Sequence, residues 1–238
     1  MRRKDKKANE QHDRTVRSKR RLKTNISREY KPKAKKPIIL IVCDGVNTEP
    51  SYFDKFKLKS ATIKSVGTGR NTKSMVEKAI NIKEAGVYDK VWCVFDKDDF
   101  DNNNFNEAIN LANVNDIEVA YSNQAFEYWL MLHFENHLGD RMHRDDYNIR
   151  LNNHLKPLGA EYDGGKNGSK KVTKKLFDLL NEEVKPKTET EQAMTRTDLA
   201  IKRAKDICKY HDDNNLPPAK AESSTTVYKL VEEIMKHI

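Results

Sequence analysis

Two apolar runs, each ending in an aspartate, limit this chain most. "IILIVCDG" spans residues 38 to 45 and "KVWCVFD" spans 90 to 96. A strand with one wet face alternates apolar and polar side chains. An unbroken run of β-favouring residues instead reads as a strand covered on both faces, as in a parallel sheet flanked by helices. Between and after these runs lie further strand and helix signals. "NTEPSYFDKFKLK" carries a helix start, with Thr48 as the expected N-cap and Glu49 and Pro50 in the first turn. "ATIKSV" reads as a second strand, residues 72 to 85 as a helix, 104 to 114 as another, and "IEVAYSN" as a fourth strand. Strand–helix alternation repeated three times predicts an α/β fold with a parallel sheet and helices on both faces.

Past residue 124 the pattern becomes mostly helical, with expected helices near 171 to 183, from about 190 to 212, and in "STTVYKLVEEIMKHI". "AFEYWLMLHFENH" has Phe126, Trp129, Leu130 and Phe134 at helical spacing, a core stripe. "GAEYDGGKNGSKK" reads as a flexible basic loop and does not match the phosphate-binding G-x-x-x-x-G-K-[ST] pattern. The expected division is a tail over 1–36, an α/β core over 37–138 and a helical region over 139–238.

Charge is concentrated in the tail. Residues 1 to 37 hold 16 Lys/Arg against 4 Asp/Glu, whereas the rest hold 29 against 32. A segment so poor in apolar residues cannot order itself by burial, so it is either a solubilising extension or a basic arm for nucleic-acid phosphates. The cysteines Cys43, Cys93 and Cys208 are too few for a disulfide framework, and no apolar stretch is long enough to span a bilayer. With no apolar segment behind the N-terminal charges, a cytoplasmic setting without membrane attachment is expected.

In a parallel α/β sheet, ligands bind beyond the carboxyl ends of the strands. Asp44 ends the first apolar run, and Asp96, Asp98 and Asp99 crowd the end of the third strand in "VFDKDDF". Strand alternation would point Asp96 and Asp98 the same way, with Lys97 opposed. Such charge needs water, a basic partner or a metal ion. Carboxylates without a matching His/Cys set favour Mg²⁺ or Mn²⁺. The competing reading is an acidic turn capping the next helix. His133 and His137, four apart, have a spacing that can hold zinc. "HFENH" nevertheless lacks the glutamate and third ligand of such sites, so packing or surface roles are expected.

The segments "IVCDGVNTEPSYF", "VWCVFDKDDF", "SNQAFEYWLMLHF" and "SSTTVYKLVEE" resemble the motif series of RloB-like proteins. That family lies in the wider Toprim superfamily of overcoming-lysogenization-defect nucleases, primases and topoisomerases. The resemblance implies a Toprim-like sheet with a helical C-terminal extension and a Mg²⁺ (or Mn²⁺) site for phosphodiester chemistry. It also implies a toxic, abortive-infection role in prokaryotic antiviral defence, alongside an AAA/ABC-type ATPase partner. By motif, the acidic residue after the first strand falls on Asp44 and the D-x-D metal pair on Asp96 and Asp98. The Phe-Glu pair falls on Phe126 and Glu127, and the acid of the Thr-Glu pair on Glu49. Metal ligation is implied for Asp44, Asp96 and Asp98, and catalytic roles for Asp44, Glu49 and Glu127. Asp99 is left as a supporting carboxylate or a helix cap.

One departure stands out: the superfamily's first acidic position is ordinarily glutamate, and Asp44 is one methylene shorter. Gln124 likewise stands where proline is usual. Lys166, Lys170 and Lys171 are candidate phosphate contacts, on DNA or on RNA, transfer RNA included. Two rivals remain: a non-catalytic nucleic-acid-binding or scaffold subunit, and a haloacid-dehalogenase-like phosphatase. The phosphatase ranks lower because its D-x-D pair follows the first strand.

Overall fold

The computed structural model describes residues 36–65, 72–137, 140–165, 168–185 and 192–238. The basic tail expected over 1–36 therefore lies almost wholly outside the described residues, as does Lys166. Chain order runs β1 (Ile39–Cys43), α1 (Thr48–Asp54), β2 (Ala61–Ser65), α2 (Thr72–Glu84), β3 (Lys90–Asp96), α3 (Asn102–Val114) and β4 (Glu118–Asn123). It continues with α4 (Glu127–Leu132), α5 (Arg144–Leu155), α6 (Lys174–Leu180), a small hairpin of β5 (Glu183–Val184) and β6 (Met194–Thr195), α7 (Arg196–Asp213), β7 (Ser224–Thr225) and α8 (Val227–Met235).

The main sheet has the order β2-β1-β3-β4-β7, parallel except for the last, antiparallel pair. The fold is thus α/β with a mostly parallel sheet flanked by helices. The unbroken apolar runs are explained by what covers each face. Ile39, Ile41, Cys43, Trp92 and Val94 join one apolar cluster with α1 and the C-terminal helices. Leu40, Val42, Val91, Cys93 and Phe95 join a second cluster with Met75, Val76, Phe105 and Ala108 of α2 and α3. Period-two alternation therefore buries every residue of β1. The first cluster extends from Ile39 to Ile234, so residues 36–238 are one compact unit, and the shift near 138 is a change of element type within it.

Three local expectations are corrected. Thr48 opens α1 without capping it; Asn47 is the N-cap position, and the Thr48 hydroxyl donates to the Lys170 carbonyl at 2.9 Å. The apolar helix after Phe126 ends at Leu132, well before the "ENH" that its stripe suggested. The loop predicted to be flexible is, in its described parts, pinned. Lys170 N–H donates to Asp163 O at 2.9 Å, and Val172 N–H donates to Ser51 Oγ on α1 at 2.8 Å.

Candidate active site

The site forms where β1 and β3 end side by side. Asp44 follows β1, and its N–H donates to Val94 O at 3.0 Å, which ties the two strand ends together. Gly45 comes next, and its missing side chain leaves room for a carboxylate. The Glu49 carboxylate of α1 lies so close that a Cβ on Gly45 would sit 2.2 Å from Glu49 Oε2. Asp96 is the last residue of β3 and is 9% exposed.

Asp98 reaches the same side by a different route from the alternation expected. The strand stops at Asp96, and Asp98 adopts φ of +43°, in the left-handed region that aspartate tolerates better than most residues. Its N–H donates to Gln124 O at 2.9 Å, which fixes that turn against the end of β4. Glu127 opens α4 and is 4% exposed. Its Oε1 accepts from the Tyr162 hydroxyl at 2.9 Å, and that hydroxyl lies 2.8 Å from Thr48 Oγ1. Asp99 is exposed, and the capping role falls on Asp101, whose carboxylate accepts from the N–H groups of Asn103 and Asn104. The cluster is therefore split: Asp101 caps α3, while Asp96 and Asp98 face the site.

Sequence reasoning missed the cation at its centre. Arg144, the first residue of α5, places Nη2 2.7 Å from Asp96 Oδ2 and Nη1 2.9 Å from Asp98 Oδ1. Its Nε lies 4.0 Å from Glu127 Oε2. One guanidinium thus spans the D-x-D pair and approaches a third acid. Nothing local in the sequence marks it: Arg144 opens a helix with a weak apolar pattern, and Asp145 and Asp146 beside it offer nearer charges. Tyr162 was missed too, since a single tyrosine in a glycine-rich loop has no local signature.

The field reflects this crowding. Burial, with the charges of Glu127 and Asp44 adding to it, pushes Glu49 from 4.5 up to about 7. Burial also raises Asp96 well above the carboxylate range, reinforced by Glu49 and opposed by Arg144. Asp98 is raised for the same first reason, with Arg144 again opposing. Arg144 itself is held more firmly protonated, because Asp96, Asp98 and Glu127 outweigh its own burial.

Among the described residues no three His, Cys, Asp or Glu side chains already form a metal-ligand set. The donor chemistry nonetheless suits a hard divalent cation. Every acid here offers oxygen only, and Asp96 Oδ1 and Glu127 Oε2 are buried without a hydrogen-bond partner among the described residues. His133 and His137 play no part. His133 packs edge-on against Trp129, bonds its carbonyl at 3.0 Å and is lowered by burial to about 3; His137 packs against Tyr128. Beside Asp98 a groove of about 660 Å³ opens, lined by Lys97, Asp99, Gln124, Arg141 and Lys220 among others.

The family model of RloB-like proteins matches residues 39–234, the segment that holds all of these acids together with Arg144 and Tyr162. The chain belongs to the RloB-like family. No curated protein and no solved structure matches it. In this RloB-like chain, Asp44, Glu49, Asp96, Asp98 and Glu127 share one site at the strand ends. Lys170 is part-buried beside α1, and Lys171 is exposed. No helix among the described residues is long and apolar enough to cross a membrane.

Proposed function

We propose that this RloB-like chain is a Mg²⁺- (or Mn²⁺-) dependent nuclease with a Toprim-type site. In this reading it acts as a toxic effector of prokaryotic antiviral defence beside an AAA/ABC-type ATPase. The observation that carries the reading is the all-oxygen acid cluster at the ends of β1 and β3, in which the buried Asp96 Oδ1 and Glu127 Oε2 have no hydrogen-bond partner among the described residues. Asp96, Asp98 and Asp44 would hold the cation, which supplies charge stabilisation to phosphoryl oxygens.

The chain's own residues supply the rest. Glu49 is buried among these acids, and without a cation burial raises it to about 7, so it can take up or give a proton near neutral pH. Tyr162 orients Glu127 through its hydrogen bond. Lys97, Arg141 and Lys220, which line the 660 Å³ groove beside Asp98, together with Lys170 and Lys171, are the candidate phosphate contacts in this reading. The basic residues 1–36 add sequence-independent attraction for phosphates.

A second reading, a non-catalytic nucleic-acid-binding or scaffold subunit, draws on one specific feature: Arg144 already neutralises the D-x-D pair. One experiment separates the two. The purified chain is incubated with plasmid, single-stranded DNA and total cellular RNA in Mg²⁺, Mn²⁺ or EDTA, beside an Asp96→Asn/Asp98→Asn variant. Cleavage that needs both the metal and the aspartates is expected. Retention of the polymers on the chain without cleavage, with the ATPase present, supports the scaffold. Full cleavage by the variant sinks the site assignment.

A further inference from the structure

Arg144 occupies the carboxylates that a divalent cation would take. Its Nη2 and Nη1 take Oδ2 of Asp96 and Oδ1 of Asp98, at 2.7 and 2.9 Å. A divalent cation on those carboxylates would lie within a few ångströms of the guanidinium, and like charges that close repel strongly in a largely desolvated site. Nothing on its own helix retains Arg144. It is the first residue of α5, where the helix dipole opposes a positive charge, and its side chain is 35% exposed. Among the described residues its ion-pair partners are Asp96, Asp98 and Glu127.

We propose that Arg144 is an exchangeable counter-ion. In the metal-free chain it closes the Asp96–Asp98 pair; when a divalent cation takes those carboxylates, the guanidinium turns out and becomes a phosphate ligand. Its planar fork of donors matches two phosphate oxygens as well as it matches two carboxylates. The long side chain makes this move by rotamer change, without refolding α5. Metal loading and phosphate capture are then coupled through one residue, and the bare site is held shut. This inference rests on reading the acid cluster as a metal site.

The test measures Mn²⁺ binding by electron paramagnetic resonance, without nucleic acid, for the wild-type chain, Arg144→Gln and Arg144→Lys. Removing the internal competitor makes Arg144→Gln bind Mn²⁺ about tenfold or more tightly than wild type, given the strength of two charge-assisted hydrogen bonds. Arg144→Lys keeps the charge but not the fork and falls between them. In parallel, the arginine Nε–H signal that disappears in Arg144→Lys shifts when Mg²⁺ is added to ¹⁵N-labelled wild-type protein. That second readout stands even if Arg144→Gln fails to fold, which circular dichroism reports. Unchanged or weaker Mn²⁺ affinity in folded Arg144→Gln, or an Arg144 signal unmoved at saturating Mg²⁺, overturns the exchange alone. Absence of Mn²⁺ binding by both folded wild type and folded Arg144→Gln overturns the metal-site reading beneath it.

Discussion

Glu49 gives the sharpest prediction, because its titration couples the site to the stability of the whole fold. Folded, it titrates at about 7 instead of 4.5, chiefly through burial. The folded chain therefore holds this proton more tightly than the unfolded chain does. The resulting stabilisation is complete below pH 4.5 and is lost as pH rises through about 7. Its size is about 3 kcal/mol, at about 1.4 kcal/mol for each factor of ten in proton affinity. His133 works in the opposite sense. Lowered to about 3, it contributes stability above pH 6.5 that falls away as the solution is acidified, so the total curve mixes it with Glu49 and with the raised Asp96 and Asp98.

The difference between wild type and Glu49→Gln isolates the carboxyl, since the amide mimics its protonated form and does not titrate. Urea unfolding in EDTA, followed by circular dichroism from pH 4.5 to 8.5, should show Glu49→Gln gaining about 3 kcal/mol on wild type across that range. The charge of Glu49 also raises Asp96, so its removal relieves a neighbour in the same direction. Saturating Mg²⁺ should reverse the wild-type trend, because a bound cation favours the ionised acids. A wild-type-to-variant difference that stays constant with pH would refute the reasoning.

Two further substitutions probe the surroundings. Gly45→Ala places a methyl 2.2 Å from Glu49 Oε2, so the carboxylate must move. Under the proposed nuclease reading, turnover is expected to fall about 100-fold, as for a reacting group displaced by about 1 Å, while circular dichroism stays native. Tyr162→Phe removes the donor to Glu127 Oε1. It should lower unfolding free energy by about 1 kcal/mol in urea titrations and reduce turnover, with unchanged turnover contradicting the orienting role.

The sheet was legible in the sequence because β1 and β3 are buried on both faces, which leaves an unbroken apolar signature. The acids at their tips were legible for the same reason: a strand end is where polarity returns. α5 was hidden. In "RDDYNIRLNNHL" only Tyr147, Leu151 and Leu155 are buried, one residue per turn amid polar neighbours. β7, two residues long, is defined by pairing with β4 and has no pattern of its own. Arg144 lies 48 residues beyond Asp96, and no local periodicity records which distant cation answers a cluster of acids. The short α4 shows the converse, an apolar stripe that continues in sequence after the helix has ended, because the core also accepts non-helical backbone.

The shared apolar cluster sets a limit on modularity. Asp44 and Asp96 stand at strand ends of the sheet, while Arg144 comes from α5 and Tyr162 from the loop between α5 and α6, and Ile39 to Ile234 pack into one core. A fragment ending near residue 137 would carry the acids without the arginine that closes them and without the tyrosine that orients Glu127. Such a fragment would also expose the face of β1 and β3 that the later helices cover. For chains built this way, the acidic sheet and its helical cover have to be inherited, transplanted or lost together.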